Sequence, residues 1–539
     1  MKVPVWAWGV VLPLTLLSLA PLGVVGFSWL QPQPDIWDHL RAHVLPDVLR
    51  NTLVLCVAVG AGVLVLGVGL AWLTAVCEFP GRRFWSGALV LPLALPAYVL
   101  AFVHVGLMDY SGPVQTAWRA FWGPEVPFMA VRSLGGAAIV FCLALYPYVY
   151  LLARQAFLTQ GMQCMQAAQT LGLTRVQAFW RVAVPMSRPW WVAGVSLAGM
   201  ELLADFGTVA IFNVDTFTTA IYKTWLGMFN LPVASQLASL LALAVLALVW
   251  VEQMARARRR FGAAARPQAQ GRVVLRGWRA GAATAACAVV LAAAFAVPMV
   301  QLLWWAAQVM AADMDARYWG FVWHSVLLAS LTATLVLAAA LLLSYAQRHA
   351  QGKAWPAPWI DHCVRSANLG YAVPGMVLSV GLFIPIAWLD GYWLAWAHAL
   401  GWSSAPALKG TLLVMALALT ARFLAVGFNP IAAAMQRITP HQEQAARTLG
   451  LGTWASLRRL HLPLLRSGLL GAALLVFVEV MKEMPITLLT RPFGWDTLAV
   501  RIFEMTSEGM WDRAALPAVC VVGASLLPIW MLVRESEHA

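Results

Sequence analysis

The chain has 539 residues, of which 61% are hydrophobic and only 11% are charged. A soluble domain carries about 25% charged residues. The composition and the mean hydropathy of +0.74 therefore exclude an ordinary soluble protein and indicate one embedded in a membrane. Membrane topology and lipid headgroups account for the net charge of +13 better than nucleic acid does, so no nucleic-acid partner is expected.

Apolar runs of about 20 residues, long enough to cross the hydrocarbon core as helices, recur along the whole chain. The first follows only Lys2, contains Pro13 and Pro21, and lacks a convincing cleavage site, so it is interpreted as a retained helix and not a signal peptide. We predict an all-α polytopic membrane protein with about 12 transmembrane helices, one in each such run. The predicted spans are 9–30, 52–75, 86–106, 134–153, 191–212, 235–253, 281–303, 324–345, 367–388, 411–427, 467–490 and 513–533.

The distribution of Lys and Arg predicts the orientation of the chain. With the N-terminus inside, cytoplasmic segments hold 24 of the 36 basic residues, so both termini are expected in the cytoplasm. The basic segment 254–280 is interpreted as a cytoplasmic linker between two domains, residues 1–253 and 281–539. None of the outside segments is large enough to bind a solute as a domain, so a separate receptor would deliver a scarce solute.

One segment of the chain occurs twice. Residues 166–185 are QAAQTLGLTRVQAFWRVAVP, and residues 444–463 are QAARTLGLGTWASLRRLHLP. The same offset of 278 residues links further pairs: Pro96 with Pro374, Glu201 with Glu479, and Asp205 with Glu483. The sequence therefore predicts two homologous halves. Six spans in each half give the halves the same orientation, as parallel repeats related by an axis along the membrane normal.

The repeated segment predicts a helix–turn–helix elbow on the cytoplasmic surface. A short helix-forming stretch ends at a glycine that permits a positive φ, and a proline marks the approach to the next span. An ordinary amphipathic connector would not share this spacing in both halves, so we favour a docking role. The predicted docking residues are Gln166, Ala167, Ala168, Gly172, Arg181 and Pro185 in the first copy, and Glu443, Gln444, Ala445, Ala446, Gly450, Arg459 and Pro463 in the second.

This pattern resembles the EAA loop of permease subunits of bacterial ABC importers, in which Glu-Ala-Ala is followed by a spaced Gly and a terminal Leu-Pro. Gln166 and Gln444 stand where that motif has Glu, and only Glu443, one place earlier, offers an acid. Three further segments are similar to the fused, two-copy permeases of ferric-iron importers: YAVPGMVLSVGL (371–382), ADFGTVAIFNVDTFTTAIYKTW (204–225) and RPFGWDTLAVRIFE (491–504).

The resemblance implies a MetI-like permease fold in a bacterial inner membrane, in contact with lipid. It also implies a path for ferric iron, a periplasmic or lipid-anchored solute-binding protein, and two copies of an ABC ATPase docked at the elbows. The chain has no phosphate-binding loop, so ATP is expected to act on those partners. No catalytic residue, bound cofactor or metal site is predicted.

Several other functions remain open at the level of the sequence. The same architecture would also suit import of thiamine, phosphonate, sulfate or a polyamine. An ion-coupled secondary transporter is an alternative of another class, but it does not account for the duplicated elbow. A membrane scaffold without transport leaves the paired carboxylates of the fifth spans unexplained.

Ionisable residues within the predicted fifth spans are candidates for the translocation path or its gate, because such groups are costly inside a bilayer. They are Glu201, Asp205, Glu479, Lys482 and Glu483. Polar contacts that hold helices together are an equally good interpretation. Glu479 and Lys482 are three residues apart and are predicted to pair. Pro96 and Pro374, in the third spans, could each bend a helix or free a carbonyl and so belong to a gate.

Overall fold

The computed structural model describes residues 5–123, 125–126, 128–161, 167–257, 272–350, 357–402 and 407–538. Within them, regular structure is helical apart from two paired segments, the parallel strands β1 (Cys77–Glu78) and β2 (Val273–Val274). The all-α expectation is confirmed. In the first half of the chain the helices are α1 (Val5–Phe27), α2 (Pro34–His43), α3 (Leu45–Val76), α4 (Arg82–Ala88), α5 (Ala97–Met108), α6 (Pro113–Trp122), α7 (Leu134–Ala156), α8 (167–170), α9 (Arg175–Ala178), α10 (Val184–Ala204), α11 (Gly207–Ile211), α12 (Phe217–Tyr222) and α13 (Leu231–Ala257).

The second half of the chain continues the same series of helices. They are α14 (Trp278–Leu291), α15 (Val297–Asp313), α16 (Ala316–Ala350), α17 (Ala357–Ala367), α18 (Gly375–Ala399), α19 (Leu412–Gln436), α20 (Pro440–Thr448), α21 (Thr453–Ser456), α22 (Leu462–Lys482), α23 (Pro485–Thr490), α24 (Leu498–Ser507) and α25 (Trp511–His538).

The membrane-spanning character of the chain is visible in the lengths of these helices. In the described part of the chain, nine helices are long and apolar enough to cross a bilayer, or ten if the pair Arg82–Ala94 and Ala97–Trp122, bent by 92°, forms one span. Two further predicted spans, 191–212 and 513–533, fall largely on α10 and α25. The polytopic membrane fold predicted from hydropathy is thereby confirmed.

One compact unit contains most of the second half together with the N-terminal helix. It comprises residues 1–36, 221–242 and 313–501. The buried stripe of α1 packs against α16, α17 and α18. Thr15 Oγ1 donates to the Cys363 carbonyl at 3.1 Å, and Ser18 Oγ donates to the Ala367 carbonyl at 2.8 Å. The N-terminal helix is thus tied to second-half helices.

The other compact unit contains most of the first half and comprises residues 37–220, 243–312 and 502–539. Its helices α3 and α7 lie close together because glycine leaves room: a Cβ on Gly67 would lie 2.6 Å from Val149 Cβ. Trp305 of α15 stacks on Phe102 at 6.5 Å. Each compact unit thus takes in the first helices of the opposite half, whereas the predicted domain boundaries follow the internal repeat and stay a prediction.

The predicted third spans, 86–106 and 367–388, are interrupted and not continuous. Pro96 and Pro374 have φ −56° in both cases and directly precede α5 and α18. A proline lacks the N–H of a helix interior and disfavours helical backbone in the residue before it, so a new helix begins there. The carbonyls four residues earlier, which the prolines cannot engage, accept from other groups: Pro92 O from Leu95 N at 3.1 Å and Gly370 O from Val373 N at 3.3 Å.

Candidate functional site

The first elbow, α8–α9 with the turn between them, is built around a glycine in the left-handed region. Gly172 has φ +87°. Its N–H donates to the Gln169 carbonyl at 3.0 Å, and the N–H of Leu173 donates to the Ala168 carbonyl at 3.1 Å. These bonds satisfy carbonyls left open at the end of α8, and the left-handed conformation costs a glycine little.

The second elbow, α20–α21 with the turn between them, has the same turn. Gly450 has φ +79°. Its N–H donates to the Arg447 carbonyl at 3.0 Å, and the N–H of Leu451 donates to the Ala446 carbonyl at 3.0 Å. A Cβ added at either glycine would meet nothing within 4 Å, so backbone conformation and not space requires glycine at both turns. The helix–turn–helix geometry predicted for both copies is therefore present.

The likeness of the two elbows continues into the next span. A short π-helical turn follows each elbow, at Phe179–Ala183 in the first copy and at Leu457–His461 in the second. A long helix then begins, with Pro185 in the first turn of α10 and Pro463 in the first turn of α22. The helical backbone continues from the π-helical turn into the long helix in both copies, since Ala183 and His461 both have helical φ and ψ.

The predicted docking residues divide between the surface and the interior. In each alanine pair the first member is exposed and the second is buried, so only Ala167 and Ala445 are available to a partner. Seven other predicted residues are exposed: Gly172, Arg181, Pro185, Gln444, Gly450, Arg459 and Pro463. Gln166 lies outside the described residues.

Two exposed leucines at the apices of the elbows were missed by the sequence analysis. Leu171 is 84% exposed and Leu449 is 81% exposed, each directly before the turn glycine. Large apolar side chains displayed at equivalent places suggest surfaces that a partner covers. The identical TLGL in both copies was the available signal.

Glu443, the acid nearest the motif position, is engaged inside the chain. Its Oε1 accepts from Arg348 Nε at 3.0 Å and from His461 Nε2 at 3.3 Å, and its side chain is 18% exposed. Burial alone would raise the pKa of this carboxyl, but the hydrogen bonds and charges of Arg348 and His461 lower it below its usual value. The group is therefore held as a carboxylate.

Asp205 marks the point where the fifth span of the first half stops being helical. It follows the last residue of α10. Its Oδ1 accepts from Thr208 N at 2.8 Å, and its Oδ2 accepts from Thr208 Oγ1 at 3.0 Å. The carboxylate thus ties the short helix α11 to the end of α10.

Glu483 occupies the same position after α22 in the second half. Its Oε1 accepts from Ile486 N at 2.9 Å, and its Oε2 accepts from Thr487 N at 3.1 Å and from Thr487 Oγ1 at 3.2 Å. Asp205 and Glu483 therefore have the same structural role: each connects a span to the short helix that follows it.

A buried arginine that the sequence analysis did not single out lies beside Glu483. Arg422 of α19 is 9% exposed, and its Nε and Nη1 have no hydrogen-bond partner among the described residues. A Cβ on Gly375 would lie 2.6 Å from Arg422 Nη1 and 3.0 Å from Glu483 Oε1. The absence of a side chain at Gly375 is therefore what lets the guanidinium and the carboxylate approach. The offset of 278 places alanine at the positions matching Gly375 and Arg422.

The remaining intramembrane charges lie close to these acids in sequence. Lys482 Nζ and Glu479 Oε1 are 3.3 Å apart, so the predicted pair is present. Glu201, the counterpart of Glu479, is half-buried. Within the described ranges, no group of three or more His, Cys, Asp or Glu side chains is placed to hold a metal ion.

Comparison with known proteins shows which proteins this chain resembles. Residues 64–260 match the family described as binding-protein-dependent transport system inner membrane component. The Fe(3+)-transport system permease protein FbpB 2 of Haemophilus influenzae is 25% identical over 496 residues, which are 91% of this chain and 90% of that protein. The chain therefore resembles permease subunits of binding-protein-dependent transport systems, and the similarity to FbpB 2 extends over both of its halves.

Other permeases match a smaller part of the chain. The sulfate transport system permease protein CysT of Escherichia coli is 27% identical over 43% of this chain and 83% of its own length. The molybdenum transport system permease protein ModB of the same organism is 28% identical over 36% of this chain and 86% of its own length. These relatives are permease subunits and not enzymes, and ATP hydrolysis in such systems belongs to partner ATPases. The long apolar helices of this chain agree with a multi-pass inner-membrane protein.

Proposed function

We propose that this permease forms the translocation path for ferric iron, which a separate solute-binding protein delivers and separate ATPases drive. The observation that carries the proposal is the extent of the alignment with the Fe(3+) permease, which covers 91% of this chain and so includes both halves. The alignments with the sulfate and molybdenum permeases cover 43% and 36% of this chain, so neither of them extends over both halves.

The two elbows are the proposed docking sites for two copies of the ATPase. Their turns share φ values of +87° and +79° and the same pair of backbone hydrogen bonds. Two elbows of the same backbone shape can bind two copies of the same protein. The exposed leucines Leu171 and Leu449 offer apolar surface to a groove of that protein. With the elbows in the cytoplasm, both termini lie inside, as the distribution of basic residues also predicts.

The aligned acids Asp205 and Glu483 are proposed to belong to the gate and not to a binding site for the cargo. Each carboxylate already accepts backbone N–H groups at the break between two helices. Such acceptors have little capacity left to hold a metal ion tightly, which suits a path that must release its cargo. Movement of the elbow, one helix away, would reach these breaks through α10 and α22.

The cargo is tested with the permease reconstituted in liposomes together with its ATPase and the solute-binding protein. Radioactive ferric iron is expected to accumulate only with ATP and with the loaded binding protein. Parallel assays with labelled sulfate, molybdate and thiamine should show no accumulation. Uptake of one of these solutes instead of iron would refute the ferric-iron assignment, and uptake driven by an ion gradient without ATP would refute the ATPase-driven mechanism.

A further inference from the structure

The second elbow is bonded to a membrane-spanning helix through a single carboxylate. Arg348 lies in the last turn of α16 and donates from Nε to Glu443 Oε1 at 3.0 Å and from Nη2 to the Ile438 carbonyl at 2.7 Å. His461 ends the π-helical turn and contacts the same Oε1 through Nε2 at 3.3 Å. Arg348, Glu443 and His461 are called the brace below.

Both ring nitrogens of His461 face oxygen atoms. His461 Nδ1 lies 3.1 Å from the Ser456 carbonyl, while Nε2 faces the carboxylate of Glu443 at 3.3 Å. The ring is 1% exposed. The brace is therefore one carboxylate held between the guanidinium of Arg348, through a charge-assisted hydrogen bond, and the buried imidazole of His461.

Aromatic side chains enclose the brace on the side of the membrane helices. Tyr345, one turn before Arg348 on α16, donates from Oη to the Thr453 carbonyl at 2.6 Å, and its ring lies edge-on to His461 at 5.1 Å. Trp6 of α1 stacks on Tyr345 at 5.6 Å and contacts Trp454 of α21 at 5.3 Å. The elbow is thus fixed to the ends of two long helices.

We propose that Glu443 is a positioning residue that, through the brace, transmits movement of the docked ATPase from the second elbow to α16. One oxygen of Glu443 joins α20, the π-helical turn and α16, so the elbow cannot shift against α16 without breaking charge-assisted bonds. The inference rests on the proposed docking of an ATPase at the elbows.

At the positions that match the brace, the first half of the chain has three residues that are neither charged nor histidine. The offset of 278 gives Leu70 for Arg348, Met165 for Glu443 and Ala183 for His461. Transmission through a carboxylate is therefore a property of the second elbow. The two ATPase sites are alike in backbone shape and unlike in how they are joined to the membrane helices.

A direct contact of Glu443 with the ATPase is the competing explanation, and it predicts a different defect. A contact residue lost from the docking surface lowers the affinity for the ATPase. A positioning residue leaves that affinity unchanged and lowers the amount of solute transported for each ATP hydrolysed. The two quantities are measured separately, by binding of the ATPase to the permease in nanodiscs and by the coupling ratio in proteoliposomes.

The experiment uses the full permease with its ATPase and binding protein and compares Glu443→Gln, Arg348→Gln and the double variant. A charge-assisted bond of this kind is worth roughly a tenfold change in an equilibrium. Each single variant is expected to lower the coupling ratio by up to about tenfold with ATPase affinity unchanged. The double variant is expected to lower the coupling ratio by less than the two single effects combined, because the bond between Arg348 and Glu443 is lost in both single variants.

Glu78→Gln is the matched control, since Glu78 pairs with Arg82 at 3.1 Å and Arg272 at 3.5 Å and not with an elbow. It should leave coupling unchanged. Should Glu443→Gln fail to assemble, Arg348→Lys replaces it, because lysine keeps the charge and cannot reach both Glu443 and the Ile438 carbonyl as a fork. Unchanged coupling in assembled brace variants, or a loss of ATPase affinity alone, overturns the inference. Failure of the wild-type permease to bind an ATPase would instead overturn the proposed docking.

Discussion

The two copies of the repeated segment have the same backbone and different side-chain anchors. The turn hydrogen bonds of the two elbows agree within 0.1 Å. The first elbow is anchored by Trp72 of α3, whose ring lies 4.3 Å from that of Phe179. The second is anchored by the brace, and the positions matching Trp72 and Phe179 hold Ala350 and Leu457. The shape offered to a partner has been kept in both copies, while the attachment behind it has diverged.

The same contrast holds at the breaks in the fifth spans. Asp205 and Glu483 make matching bonds to the short helices that follow. Glu483 has a buried guanidinium beside it, from Arg422, whereas the position that matches Arg422 in the first half holds Ala144. The two halves thus share a broken helix and differ in the charge that surrounds the break.

The largest difference in stability between the halves is expected when Asp205 and Glu483 are each replaced by a neutral residue. Glu483→Gln removes the carboxylate that lies beside the buried guanidinium of Arg422 at Gly375, and loss of a directly paired buried charge costs about 3–5 kcal/mol in soluble proteins, which sets an upper bound here. Asp205→Asn keeps an acceptor and strands no cation, so its effect on stability should be much smaller. Thermal unfolding of the purified permease measures both effects.

The double variant Glu483→Gln with Arg422→Met tests the cause of that difference. It removes both charges and is expected to recover part of the lost stability. Equal losses for Asp205→Asn and Glu483→Gln, or no recovery in the double variant, would show that Arg422 does not depend on Glu483.

The turn glycines should be equally sensitive in both copies, because their backbone geometry is the same. Gly172→Pro and Gly450→Pro each remove a turn N–H and exclude a positive φ, at a local cost of about 3 kcal/mol or more. Loss of receptor-stimulated ATP hydrolysis with intact membrane insertion is expected. The matched controls Gly172→Ala and Gly450→Ala meet no steric obstacle and strain only φ, by about 1–2 kcal/mol. Wild-type coupling in both proline variants would contradict docking at the elbows.

Removing the aromatic contact that anchors the first elbow is expected to have a smaller effect, confined to the first copy. Trp72→Ala removes the contact with Phe179, and an aromatic pair contributes about 0.5–1.5 kcal/mol beyond the area it buries. Hydrogen exchange should rise in 167–183 and stay unchanged in 445–461. Leu457 holds the position of Phe179 in the second copy but belongs to a buried core cluster, so the comparison is made with Trp72→Ala alone. Equal loosening of both segments by Trp72→Ala would contradict separate anchors.

The sequence was informative where structure depends on local pattern. The repeated glycines predicted turns, and Gly172 and Gly450 have the positive φ that was expected. The brace could not be predicted, because Arg348 lies 95 residues and His461 lies 18 residues from Glu443, and no local spacing links them. Hydropathy also continues through Asp205, since the residues on both sides are apolar, whereas a side chain bonded to the backbone decides where α10 ends.

The smallest expected effect concerns the pH dependence of the brace. Arg348 and His461 hold the pKa of the Glu443 carboxyl below its usual value near 4.5, against the effect of burial. A depressed folded-state pKa adds stability that is fully present above the unfolded value and is lost as pH falls through the folded value.

The measurement is the difference in unfolding temperature between the wild type and Glu443→Gln, followed from neutral pH into acid. The difference should correspond to about 1 kcal/mol and stay constant at neutral pH, because hydrogen bonds to charged groups contribute about 1.5–3 kcal/mol and desolvation offsets part of that. It should shrink only below the usual range of a glutamate, since the carboxyl is then protonated in both folded and unfolded chains. The first elbow has Met165 at the matching position, so Met165→Gln should leave the whole profile unchanged. A difference that disappears already near neutral pH would mean that Glu443 is not held as a carboxylate by its two partners.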